Sequence, residues 1–156
     1  MEWVIAEHTR CDLHFFSGIN FSGEHRVVHV HPAGGRQGQK IDDFPFQSVA
    51  VAGPLHTRVV FQTSLQEDWE QRPWRAVEMR PKEGYKDQNG LPAVRIPDLN
   101  WLDKPAARRA DPDFQEGFRQ ADSAAERPAW TYGRGPGELS GNIVCIRIER
   151  LAAPTK

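Results

Sequence analysis

The chain has 156 residues, enough for one domain or for one domain with a large insertion. Its 20 Lys and Arg face 21 Asp and Glu, for a formal net charge of −1, so no global field draws it to nucleic acid or to an anionic membrane. No apolar run approaches the ~20 residues that span a bilayer. Residues 1–10, MEWVIAEHTR, carry an acid where a secretory leader is basic. The expectation is a cytoplasmic protein, or one built into a particle assembled there, with no membrane or nucleic-acid partner.

Five runs in the first part have strand character: WVIAE (3–7), CDLHFF (11–16), EHRVVHVH (24–31), FQSVAVAG (46–53) and TRVVFQT (57–63). HPAGGRQGQ (31–39) and AGP (52–54) supply the turn chemistry between them. Two more runs follow, WRAVEM (74–79) and NIVCIRIERL (142–151). Short β-rich runs separated by Gly, Pro and Asp predict an all-β fold, a two-sheet sandwich of antiparallel strands. From 80 to 140, prolines 81, 92, 97, 105, 112, 128 and 136 break the alternation. Proline lacks an amide donor, so this region is expected to be a packed excursion outside the regular sheet. One short helix is expected within it, with Asp111 as its cap, Pro112 at its first position, and Phe114 and Phe118 sharing its buried face.

In CDLHFF, alternation places Cys11, Leu13 and Phe15 on one face and Asp12, His14 and Phe16 on the other. FSGINFSG (16–23) then turns sharply, with Gly18 and Gly23 free to adopt positive φ. Phe16 and Phe21 can clasp each other across the fold, and Ser48 opens SVAV with Val49 and Val51 inward. The order is aromatic, four residues, aromatic, one residue, glycine, and later serine before an apolar strand. It resembles the Greek key motif of βγ-crystallins, with Phe16, Phe21, Gly23 and Ser48 in the four places. The match covers residues 11–53. A domain of that family needs two motifs, and the second spans 57–150. RVVFQ (58–62) resembles its first strand and NIVCIRIE (142–149) its last, with Cys145 in the serine position. No aromatic-x-Gly pair follows Phe61, and residues 80–140 read as an insertion.

Many βγ-crystallin domains bind calcium at a short acidic sequence, and the matching places here are DFPFQS (43–48) and SGNIVC (140–145). Asp43 is the one acid of the two stretches, with phenylalanine where an oxygen ligand belongs, and calcium needs six or more oxygens. Calcium binding is therefore not expected. His25, His29 and His31 share one strand face with His14 nearby, a set that can pinch a metal. Their alternation with Val28 and Val30 equally fits an exposed polar face, the reading adopted; no cofactor is expected. Glu67, Asp68 and Glu70 offer paired carboxylates with no nucleophile beside them. Residues 132–141, YGRGPGELSG, lack the Lys-Ser/Thr of a phosphate loop. Cys11 and Cys145 fit no metal-ligand spacing and read as reduced thiols, Cys145 as inert packing.

Trp69, Trp74, Arg72 and Arg75 offer an aromatic and basic surface, or else pin the insertion down. Trp101 and Arg108 add candidate contact residues. Together these readings lead to a non-enzymatic structural or interaction protein. Its sandwich would present an insertion to a protein partner or to further copies of itself, as in an accessory or decorating subunit of a bacterial or phage assembly. The alternatives are a metal- or calcium-responsive binding module and a protein inhibitor of an enzyme.

Overall fold

The computed structural model describes residues 1–5, 9–32, 35–63, 74–99, 129–134 and 141–151, with the backbone alone for 74–76, 82–85 and 129–134. Eleven strands form within these residues: β1 (Glu2–Ile5), β2 (Cys11–Phe16), β3 (His25–His31), β4 (Gly35–Gly38), β5 (Ser48–Ala52), β6 (Thr57–Gln62), β7 (Trp74–Met79), β8 (Lys82–Lys86), β9 (Pro92–Ile96), β10 (Ala129–Arg134) and β11 (Cys145–Arg150). They build two sheets, ordered β4-β3-β2-β5-β9-β8 and β1-β11-β6-β7-β10. No helix forms among the described residues, so none there is long and apolar enough to cross a membrane. The expected helix at 111–120 lies outside them.

Period-two alternation builds the core between the sheets. Cys11, Leu13 and Phe15 of β2, Val28 and Val30 of β3, and Val49 and Val51 of β5 are buried. They join Val59, Phe61, Val77, Met79, Ile146 and Ile148 of the second sheet in one cluster. Three phenylalanines tie the halves together. Phe15 lies 4.7 Å from Phe46 and 6.2 Å from Phe61, and Phe46 lies 5.9 Å from Phe61. These spacings suit tilted and edge-on ring packing.

Three expectations need correction. Residues 31–39 are not turn alone, because GRQG (35–38) forms the edge strand β4 against β3. Gly38 permits this at φ +128°, where a Cβ would stand 2.3 Å from the Val27 carbonyl oxygen. Nor is every strand pair antiparallel: β1 runs parallel to β11, Trp3 opposite Ile146.

The largest correction concerns 80–140, expected to lie outside the sheets. β8 and β9 extend the first sheet, with Val51 opposite Val94, and β10 extends the second. Proline is tolerated because Pro81 precedes β8, Pro92 opens β9 and Pro97 follows it, so none removes a donor from a strand interior. The hairpin between β8 and β9 turns on Asp87. Its carboxylate accepts the Asn89 and Leu91 amides at 2.9 Å each, and Gly90 sits at φ +80°.

Candidate functional site

The sharp fold at 17–23 is held by its own backbone and by two other strands. Gly18 donates to the Ser22 carbonyl at 2.9 Å, and Ser17 donates to Glu24 at 2.9 Å. Asn20 and Phe21 both adopt positive φ, 56° and 58°, a region costly for a bulky side chain. External bonds hold that strain in place. The Ser48 hydroxyl accepts the Phe21 amide at 3.0 Å and donates to the Gly18 carbonyl at 2.7 Å. Asn20 donates its backbone N–H to the Pro97 carbonyl at 2.7 Å, and the Gln47 side-chain Nε2 donates to the Ser17 carbonyl at 2.9 Å. Gly23, at φ +81°, closes the turn where a Cβ would meet the Ser17 hydroxyl at 2.2 Å.

This fold places a ladder of flat groups on the outer face of the first sheet. The Arg95 guanidinium lies 4.9 Å from the centre of the Phe21 ring. Phe21 meets Phe16 edge-on at 5.5 Å, and Phe16 stacks on His25 at 4.5 Å with planes 6° apart. The ladder ends where His25 Nε2 meets His14 Nδ1 at 3.0 Å. One step along, His29 Nδ1 lies 2.9 Å from Asp12 Oδ1. Burial above all, then the neighbouring His25 imidazole, pushes the His14 pKa down, while Asp12 and Asp87 pull it the other way.

Described residues of the two stretches considered for calcium, 43–48 and 141–145, converge elsewhere. Asp42, Asp43, Phe44, Pro45 and Phe46 face Gly141 and Ile143 across a cleft of about 200 Å³. Phe44 and Phe46 bring carbon where a hard cation needs oxygen. Asp42 lies 3.8 Å from the Met1 ammonium. Among the described residues, no three His, Cys, Asp or Glu side chains converge to hold a metal ion.

The outer face of the second sheet is a charge ladder of ordinary structural type. Arg58 pairs with Glu149 on the neighbouring strand and lies 3.9 Å from Glu78, which also holds Arg80 at 2.6 Å. Both cysteines are free and buried. Burial, with Asp12 adding to it, pushes the Cys11 thiol up to about 12. Burial likewise raises Cys145. Neither offers a thiolate at neutral pH.

Of the residues singled out from sequence, Phe16, Phe21, Gly23 and Ser48 meet at the folded hairpin. His25 lies beside it, and His29 pairs with Asp12. His31 is exposed at the end of β3, and Asp43 is exposed at the cleft. Trp74 opens β7 opposite Arg134, with its backbone alone described. Trp69, Trp101, Arg108, Arg72, Glu67, Asp68 and Glu70 lie outside the described residues. Sequence reasoning missed Arg95 and Pro97, whose contacts depend on β9 joining the first sheet. The Asn89-Gly90 pair between apolar runs was the signal that a hairpin forms there.

No family model, curated protein or solved structure matches the chain.

Proposed function

We propose that this chain is a non-enzymatic structural or interaction protein built as a βγ-crystallin-like Greek key sandwich. The observation that carries the reading is the Ser48 hydroxyl bonded at both ends to the folded hairpin, beneath the Phe16–Phe21 clasp. Strand order supports it. In the first sheet β5-β2-β3-β4 puts three successive antiparallel strands beside a fourth that returns next to the first. The order β11-β6-β7-β10 repeats that arrangement in the second sheet, with β8 and β9 departing between its second and third strands.

On this reading, the locked hairpins and shared core make a rigid scaffold, and the residues between β9 and β10 supply the contact surface. Large apolar and arginine side chains, here Trp101 and Arg108, are the usual anchors of interfaces. The partner is a protein or further copies of this chain, as in a bacterial or phage particle. The non-enzymatic part of this proposal has chemical support. The imidazole of His29 is oriented by Asp12, yet no described nucleophile hydrogen-bonds to it, and both thiols are pushed away from reactivity.

The test is co-expression with the products of neighbouring genes, together with light scattering of the chain alone. Trp101→Ala and Arg108→Ala should each weaken association by about 2 kcal/mol or more while leaving the melting midpoint unchanged. An inert monomer that enters no assembly with those products would sink the proposal.

A further inference from the structure

The outer end of the aromatic ladder has chemistry that a structural role leaves unused. His14 and His25 stand on neighbouring strands one diagonal step apart, since β2 and β3 pair His14 with Val27 and Phe16 with His25. Their rings meet with nitrogens leading. Nδ1 of His14 and Nε2 of His25 are 3.0 Å apart, while the ring centres are 5.2 Å apart. Both rings are held in place. Phe16 stacks flat on His25, and His14 is half-buried in the face of the sheet.

A neutral pair of imidazoles at this separation shares one proton, the second nitrogen presenting a lone pair to it. The same two nitrogens are also spaced for a metal. Ligand atoms about 2.0–2.1 Å from one ion stand about 2.9 Å apart at a right angle and about 3.3 Å apart at a tetrahedral angle. The observed spacing falls between these values. His25 is exposed, so an ion has an open approach and solvent can fill its remaining positions. Asp12, two residues from His14 on the same face, supplies negative charge nearby without leaving His29.

We propose that His14 Nδ1 and His25 Nε2 together chelate one divalent transition-metal ion of the kind that prefers imidazole, copper(II) or zinc(II), the proton held between them moving through solvent to the far nitrogen of its own ring so that both imidazoles bind as neutral ligands. This pair differs from the set suggested by sequence along β3. His25 is common to both, but its partner is across the strands, while His29 is engaged by Asp12 and His31 stands apart. The inference is independent of any assembly role.

Calorimetric titration of the full chain with copper(II) or zinc(II) at pH 7.5, after treatment with a chelator, tests it. Binding of one ion per chain is expected. His14→Gln and His25→Gln should each weaken it by more than about tenfold, since even outer partners of a metal site are worth 10–100-fold. His29→Gln and His31→Gln should leave it within about twofold. Equal binding in all four variants, selective loss in His29→Gln or His31→Gln, or no binding of either ion up to millimolar concentration would overturn the proposal. Should His14→Gln fail to fold, nitrogen-detected NMR of the wild type with zinc decides. Shifts at His14 Nδ1 and His25 Nε2 support the site, and shifts confined to other imidazoles exclude it.

Discussion

Phe21 occupies a backbone region that a bulky residue enters only when its surroundings insist, and the insistence comes from Ser48. Ser48→Ala removes both hydroxyl bonds and leaves the Phe21 amide and Gly18 carbonyl without that partner. The expected cost is about 1–3 kcal/mol of stability, read from denaturant unfolding. Gly23→Val adds a β-branched side chain at φ +81° against the Ser17 hydroxyl and should cost more than ~1 kcal/mol. An unchanged unfolding midpoint in either variant would mean that the hairpin is not strained as described. His14 makes the residue scale depend on pH. Burial holds its folded pKa below the ordinary value of 6.5, so the unfolded chain binds the proton more readily. Stability from neutral His14 is complete above pH 6.5 and is lost as pH falls through that value towards the folded pKa. Melting of the metal-free protein between pH 7.5 and 5.5 should fall more steeply for the wild type than for His14→Gln; parallel slopes would refute the assignment.

At the scale of elements, β9 decides how the two halves of the chain are joined. It is an interior strand of the first sheet, between β5 and the edge strand β8, although it comes from the second half of the sequence. Ile96 is 3 % exposed and belongs to the shared core. Ile96→Ala should therefore cost about 2–5 kcal/mol, as expected of a truncated core residue. A loss below about 0.5 kcal/mol would return the segment to the status of an attached excursion. The same strand explains why Arg95 and Pro97 reach the folded hairpin of the first half. In the sequence, prolines 92 and 97 read as breaking the alternation, whereas as strand ends they leave Val94 and Ile96 together on the buried face. The partner strand of β9 was not legible, because β-pairing is a contact between distant parts of the chain.

For the whole molecule, the two sheets share one core, so any deletion that removes a sheet strand should unfold the protein. Replacing residues 100–128 with a short Gly-Ser bridge spares every strand described. It should keep the thermal midpoint within about 4 °C, which corresponds to roughly 1 kcal/mol in a domain of this size. A larger fall would show that those residues belong to the stabilising core. Calcium supplies a second test of the whole. An ion at one hundred times its dissociation constant stabilises by about 2.7 kcal/mol, a rise of roughly 5–11 °C. The cleft between Asp43 and Gly141, where Phe44 and Phe46 stand in place of oxygen ligands, predicts no such rise at millimolar calcium.

The alternation of CDLHFF, HRVVHVH and SVAVA determined by itself which side chains face the core, because a strand has only two faces and one of them must be apolar. The spacing of Phe16, Phe21, Gly23 and Ser48 likewise announced a sharp turn, since its conformational demands are local. Tertiary structure alone decided that β9 crosses into the first sheet, that β1 pairs parallel with β11, and that His14 meets His25 while His29 meets Asp12. Each of these depends on register between strands that are separate in sequence. A shift of one residue would have turned the same histidines to the opposite face.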